Sequence, residues 1–323
     1  MVQRMMRHTS TPTSEPSSGQ TAIELQRLVD QISTIVIGKR EQIELCVICL
    51  LADGHLLIED IPGVGKTTLA QALARSLGLS FSRVQFTADL MPSDLLGVSM
   101  FDRQTGGFEF QPGPVFAQVL LADEINRAGP RTQSALLEAM EERQVSAEGA
   151  TRPLPTPFFV IATQNPTEQL GTHPLPESQL DRFALRVSLG YPAPQAERAL
   201  LAGQDRRQLL QGLGCVLSDT QWQAAQQAVS QVHVSDALLD YLQALLQASR
   251  NGHWFAQGLS PRAGLSLLRL ARARALLQGR PHVSPEDLQA VWVAAVAHRV
   301  TGRPGGEDTA SAARALLASV AIP

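Results

Sequence analysis

Apolar positions along the chain fall into two regimes. Up to about residue 190, short and nearly continuous apolar runs alternate with segments of helical period. Thr21 to Ile35 reads as an opening amphipathic helix, and Arg40–Asp53 as a second, buried one that Gly54 ends. HLLIED is a short apolar run bounded by turn residues, the mark of a buried strand. It leads into PGVGKTTLAQALARSLG, a glycine loop running into an amphipathic helix that Gly78 stops. Phe81–Phe86, VLLADE, PFFVIATQNP and LRVSLG are further strand candidates, and Arg131–Arg143 is a helix with Leu136 and Met140 on one face. Met91–Gly97 reads as a loop or short helix and Pro114–Ala117 as a helical turn, while residues 98–112 read as a hairpin and 144–155 as another hairpin or a loop around Gly149. Apolar strands alternating with helices predict a parallel sheet covered on both faces.

After Tyr191-Pro192-Ala193-Pro194 the strand signals stop, and helical period continues at roughly 195–203, 218–231, 235–250, 260–278 and 284–299. Ser260-Pro261 and Ser284-Pro285 each place a capping hydroxyl before a proline at the first helical position, and Asp287 completes a capping box with Ser284. The expected plan is a disordered tail over 1–20, an α/β domain over 21–190 and an all-helical domain over 191–323, with no internal repeat.

Composition narrows the class. The 323 residues are 44% hydrophobic and 18% charged, enough apolar surface for a folded core. The formal net charge is -3, without the basic excess that phosphate contacts demand, which argues against a nucleic-acid partner. The Ser/Thr/Pro-rich start has no apolar core and is not a secretory signal, and the longest apolar runs, Leu45–Ala52 and Ala290–Ala297, are far short of the ~20 residues of a membrane span. These features predict a cytoplasmic protein without direct membrane insertion. Cys46 and Cys49 form a literal C-x-x-C, but they lie in the apolar stretch LCVICLLA at i, i+3 with no second pair to complete a zinc site, so buried helix residues are expected.

Chemistry enters at IEDIPGVGKTTLA, residues 58–70. This is a phosphate-binding loop lacking its first glycine, with Asp60 in that place. Such a loop works by aiming consecutive backbone N–H groups at phosphate oxygens beside a helix N-terminus. Gly63 and Gly65 supply backbone freedom, Lys66 would reach the β- and γ-phosphates, and Thr67 would ligate Mg²⁺. The bland alternative is a glycine-rich turn with a surface lysine. VLLADE weighs against it, because Asp123 and Glu124 end a buried strand where carboxylates cost desolvation unless a cation or donors meet them. They suit a Mg²⁺ partner and a water-polarising base. Asn165, after a third core strand, could orient that water. Arg262, in a helix's first turn, opposes the helix dipole unless an anion sits nearby, though a solvated arginine would look the same. Arg182, just before the last strand, could form a local salt bridge or reach a phosphate on another subunit.

Taken together, GVGKTTLA, LLADEINRAGPRTQSALLEAMEERQVSAEG, FFVIATQNPTEQLGTHPLPESQLDRF, LSPRAGLSLLRLARA and VIGKREQIE resemble the AAA+ ATPases, and within them the MoxR family, over nearly all of the chain after residue 20. The resemblance implies a P-loop AAA+ domain, a parallel sheet sandwiched by helices, followed by an all-helical lid. It implies that Pro62, Gly63, Val64, Gly65, Lys66, Thr67 and Thr68 form the Walker A loop, and that Asp123 and Glu124 are the Walker B pair. Asn165 would be sensor 1, Arg182 the arginine finger and Arg262 sensor 2, with Arg127 and Arg131 as weaker candidates for subunit contacts. It further implies ATP and Mg²⁺ as cofactors, a hexameric homo-oligomer whose two hairpin inserts face the pore, and a chaperone-like role in remodelling or metal insertion. Partners of such proteins carry a von Willebrand factor A domain. On this basis ATP is expected between the α/β domain and the lid of one subunit, with Arg262 touching phosphate, the neighbour's Arg182 completing the site, and hydrolysis swinging the lid about residues 191–195. A nucleic-acid motor and a non-hydrolysing nucleotide-gated adaptor are rivals on the same fold. The net charge opposes the first, and the intact Asp123, Glu124, Asn165 and Arg182 oppose the second. A small-molecule kinase would leave the long helical tail and both inserts unexplained.

Overall fold

A computed structural model describes residues 18–104, 106–147, 149–166, 171–203 and 206–322. The expected tail lies outside the described residues as far as 17. Its last three residues belong instead to the first turn of α1 (Ser18–Ile35). α2 (Arg40–Leu51) follows, then β1 (His55–Glu59), α3 (Lys66–Ser76), β2 (Phe81–Gln85) and α4 (Pro92–Leu96). β3 (Gly97–Asp102) and β4 (Gly107–Pro112) form one hairpin. β5 (Val119–Asp123) and α5 (Pro130–Glu142) precede a second hairpin, β6 (Gln144–Ala147) and β7 (Ala150–Pro153). β8 (Phe159–Gln164), α6 (Glu177–Leu180) and β9 (Phe183–Val187) close the α/β part.

The five apolar runs pair, all in parallel, in the order β2-β5-β8-β1-β9. Alternation along the strands divides them between two packed faces. Leu56, Ile58, Leu121, Ile161 and Leu185 face α1, α2 and α3, while Leu57, Leu120, Val160 and Phe183 join Leu136 and Met140 of α5 on the other side. Cys46 and Cys49 are fully buried free thiols in the first of these cores, and burial pushes Cys46 up to about 12.

The helical part holds α7 (Pro194–Ala202), α8 (Arg206–Gln211), α9 (Asp219–Gln231), α10 (Asp236–Arg250), α11 (Pro261–Leu277), α12 (Pro285–Val296) and α13 (Thr309–Ser319). The caps work as the sequence predicts: Ser260 Oγ accepts from the Ala263 N–H at 3.1 Å, and the Ser284 N–H donates to Asp287 at 2.9 Å. Asp287 is buried and also takes Arg274 at 2.6 Å and Arg280 at 2.7 Å, a network no local pattern announces. α13 is unexpected, yet Asp308 caps it by accepting from Ala310 and Ser311, both at 3.0 Å.

α11 packs on α1, α2 and α9, and α12 packs on β9, so the helical part shares one continuous core with a sheet face. It also covers β9, an edge strand whose unpaired groups would otherwise be exposed. The two hairpins meet where the Arg152 guanidinium lies 3.7 Å over the Phe110 ring.

Candidate active site

β1 ends at Glu59 and α3 begins at Lys66, which leaves residues 60–65 as a loop over the C-terminal edge of the sheet. Gly63 and Gly65 have φ of 84° and 99°, where a side chain is strained, and a Cβ on either would meet nothing within 4 Å. The demand for glycine is conformational, and the space in front of the loop is open. No side chain caps α3, so its first N–H groups remain donors for an anion. The Lys66 ammonium donates to the carbonyls of Asp60 at 2.6 Å and Ile61 at 3.0 Å. Burial pushes its pKa down, against the opposing pull of Asp60, Asp123 and Glu124, so the loop faces the acid that ends β5 and the one just beyond it. Val64 packs on the core, Pro62 is exposed, and Thr67 and Thr68 are half-buried in the first turn of α3.

The two acids are held by neighbouring strands. Thr163 of β8 is fully buried; its Oγ1 donates to Asp123 Oδ1 at 2.6 Å and accepts from the Glu124 N–H at 2.9 Å. From the other side, β2 presents Arg83 and Gln85 at i, i+2. Arg83 donates to Asp123 Oδ2 at 2.7 Å and 3.2 Å, and Gln85 donates to Glu124 Oε2 at 2.8 Å. Glu124 has the left-handed backbone φ 57°, ψ 51°, a conformation costing a non-glycine about 1 kcal/mol or more. Arg127 pairs with its carboxylate at 3.2 Å. Arg83, Gln85 and Thr163 escape sequence reasoning; only strand register brings them to Asp123 and Glu124. Asn165 is buried just after β8, whose Gln164 carbonyl accepts from the Asp60 N–H at 3.1 Å, so it adjoins the start of the loop.

Asp123 and Thr67 are the residues that would offer oxygen donors to Mg²⁺, a cation that keeps most of its sites for phosphate and water. The chemistry of Asp123 fits: its Oδ2 already holds the Arg83 cation, so this strand end accepts positive charge.

Arg182 and Arg262 stand at the opposite edge of the sheet. Arg182 precedes β9, donates to the Leu137 carbonyl on α5, and leaves its buried Nε without a partner. Arg262 pairs with Glu141, near the C-terminal end of α5. Both line one cleft of about 380 Å³ with His55, Glu141, Asp181 and Arg299. His55 starts β1 and the phosphate loop follows its end, so the strand's five residues, about 15 Å, lie between them. In this chain Arg262 is thus set apart from the phosphate loop that it was expected to face. The cause is the seating of α11: its cap Ser260 donates to Asp181 at 3.2 Å, and Asp181 in turn forms an ion pair with Arg299 at 3.0 Å. Arg127, considered for subunit contacts, pairs with Glu124 of its own chain, and Arg131 is exposed.

A P-loop beside two strand-end acids, on an all-parallel sheet with a helical lid, defines an AAA-type ATPase module. Residues 55–185 match the ATPase family associated with various cellular activities (AAA), and residues 247–318 match the AAA lid domain. The chain is 42% identical to the uncharacterized protein YeaC of Bacillus subtilis, over 93% of this chain and 95% of that one. It is 39% identical to the chaperone MoxR1 of Mycobacterium tuberculosis, over 91% and 81%, and 34% identical to the protein MoxR of Paracoccus denitrificans, over 85% and 88%. A crystal structure of a candidate ATPase from Cytophaga hutchinsonii superposes with a TM-score of 0.86 at 34% identity, covering 95% of this chain and 97% of that one. The chain belongs to the MoxR family of AAA+ ATPases.

Proposed function

We propose that the protein hydrolyses ATP, with Mg²⁺, at sites completed between neighbouring copies in a hexameric ring, and uses the cycle to remodel or mature client proteins, metal-cofactor insertion included. The observation that carries this reading is the division of the machinery between two edges of one sheet. Lys66, Asp123, Glu124 and Asn165 lie at one edge, and Arg182 with Arg262 in a cleft at the other. A head-to-tail contact sets the second edge of one copy against the first edge of the next, which generates a closed ring when the rotation closes.

In this reading the N–H groups of residues 63–67 and the Lys66 ammonium bind the phosphates. Thr67 and Asp123 would hold Mg²⁺, which would supply positive charge to the bound phosphates. Glu124 takes the proton of the attacking water, and Asn165 keeps that water in line. The neighbour's Arg182 and Arg262 take up charge as the terminal phosphate leaves. The chaperone name of the mycobacterial relative supports the remodelling role. A von Willebrand factor A domain protein is the proposed partner, on the family resemblance, and the cytoplasm the proposed compartment; no described helix is long and apolar enough to cross a membrane.

Specific ATPase activity should climb with protein concentration and then saturate, and Glu124→Gln should bind ATP while losing about 10²-fold or more in turnover. A chain that turns over fully as a monomer overturns the shared site, and normal turnover by Glu124→Gln removes its role as base.

A further inference from the structure

Position 60 carries glycine in the phosphate-loop motif, yet the backbone here does not require one, since Asp60 is not among the residues of positive φ. What stands there is a buried carboxylate, 6% exposed. Its Oδ2 accepts from the N–H groups of Leu189 and Gly190, both at 2.6 Å, and from the Ser188 hydroxyl at 3.2 Å. Its Oδ1 accepts from the Ile61 N–H at 2.9 Å. The residue's own carbonyl accepts from the Lys66 ammonium at 2.6 Å. Residues 188–190 are the last before Tyr191, where the chain turns toward α7. Gly190 has φ +60°, and Lys39 holds the Tyr191 carbonyl at 2.8 Å.

We propose that Asp60 is a positioning residue that couples phosphate binding at Lys66 to the segment 188–192, the joint between the α/β domain and the helical lid. The inference rests on the nucleotide-binding reading of the loop. Lys66 donates to the carbonyls of Asp60 and Ile61. A phosphate that recruits this ammonium withdraws those bonds, and the peptide between Asp60 and Ile61 loses a charged partner. That same peptide's N–H is anchored to Oδ1, while Oδ2 holds the joint. One rigid carboxylate therefore spans both, and a shift of the loop is delivered to the N–H groups of Leu189 and Gly190. Charge-assisted bonds of this kind are short and directional, so the link is stiff. A glycine at 60 would keep the loop motif and delete the link.

The alternative is a static brace, in which Asp60 holds β9 in place regardless of the loop. Hydrogen exchange of the full chain separates the two. Amide exchange is followed over 186–192 without nucleotide, with MgADP and with Mg²⁺ plus a non-hydrolysable ATP analogue, while a fluorescent nucleotide reports binding. In the unmodified protein, exchange at Leu189 and Gly190 should change several-fold on binding the ATP analogue. Asp60→Gly should bind nucleotide and lose that response. Asp60→Asn, which keeps one acceptor oxygen, should fold as well and respond weakly, and it decides the matter if the glycine variant does not fold. Nucleotide binding by the unmodified protein with no change over 188–192, or an unaltered response in either variant, overturns the coupling. Failure of the unmodified protein to bind nucleotide overturns the functional reading instead.

Discussion

The guanidinium of Arg83 already occupies the carboxylate of Asp123, at 2.7 Å, where Mg²⁺ chemistry is proposed. Arg83 is about half exposed, at 47%, so the pair is screened and its worth is modest, about 1 kcal/mol or less. A cation beside a metal ligand nonetheless competes with the metal. Arg83→Ala should lower the Mg²⁺ concentration for half-maximal nucleotide binding by roughly fivefold at low salt, and by less at high salt. A Mg²⁺ titration at fixed ATP analogue measures it, and an unchanged midpoint would mean that Arg83 leaves Asp123 without competing.

Arg262 belongs to the same cleft as Arg182, not to the loop of its own chain. Glu124→Gln and Arg262→Ala should therefore each be inactive alone and recover activity when mixed, because about a quarter of randomly assembled interfaces then pair an intact Glu124 with an intact Arg262. Mixtures as inactive as the separate variants would return Arg262 to its own chain's nucleotide.

Asp287 is fully buried between Arg274 and Arg280. Asp287→Ala removes the shared acceptor of two partly exposed arginines and of the Ser284 N–H, and should cost about 3 kcal/mol in denaturant unfolding. By contrast Arg40→Ala, which breaks the exposed pair with Asp30, should cost less than about 1 kcal/mol. Equal losses would contradict the burial argument.

His55 is buried and neutral, with its Nδ1 accepting from the Val160 N–H at 3.0 Å. Burial, helped by the Arg143 charge, pushes its pKa down to about 3, and His298 is lowered in the same direction by burial and Arg299. In the unfolded chain these rings take up a proton near their ordinary value of about 6.5. Stability from His55 is therefore complete above that pH and falls below it at up to about 1.4 kcal/mol per pH unit, toward pH 3. His55→Gln should flatten the fall in melting temperature between pH 7 and 5, and an unchanged slope would locate the acid sensitivity elsewhere.

The sheet, its alternating helices, most of the lid helices and the residues of the loop are legible because each is written locally, in apolar runs, caps and a spaced motif. Glu124 and Asp123 are legible for the same reason. Arg83 is not: in FSRVQF it looks like any solvent-facing residue of an edge strand, and only pairing of β2 with β5 aims it at Asp123. Where Arg262 points is not legible either: its place beside Glu141 depends on how α11 seats against α2 and β9, and no helical period encodes that. Asp60 looks like a tolerated departure from a motif, and its partners lie about 130 positions away.

The cysteines offer a practical handle. Cys46 and Cys49 are sealed in the core, and the thiol of Cys46, held protonated up to about 12, is a poor nucleophile near neutrality. Cys215, the third and last cysteine of the chain, is exposed just beyond α8, against Gly78 at the end of α3. A maleimide dye added to the folded, unaltered protein will therefore attach at one place, on the helix bundle next to the nucleotide-binding domain, and a fluorescence signal from the native chain needs no engineered site.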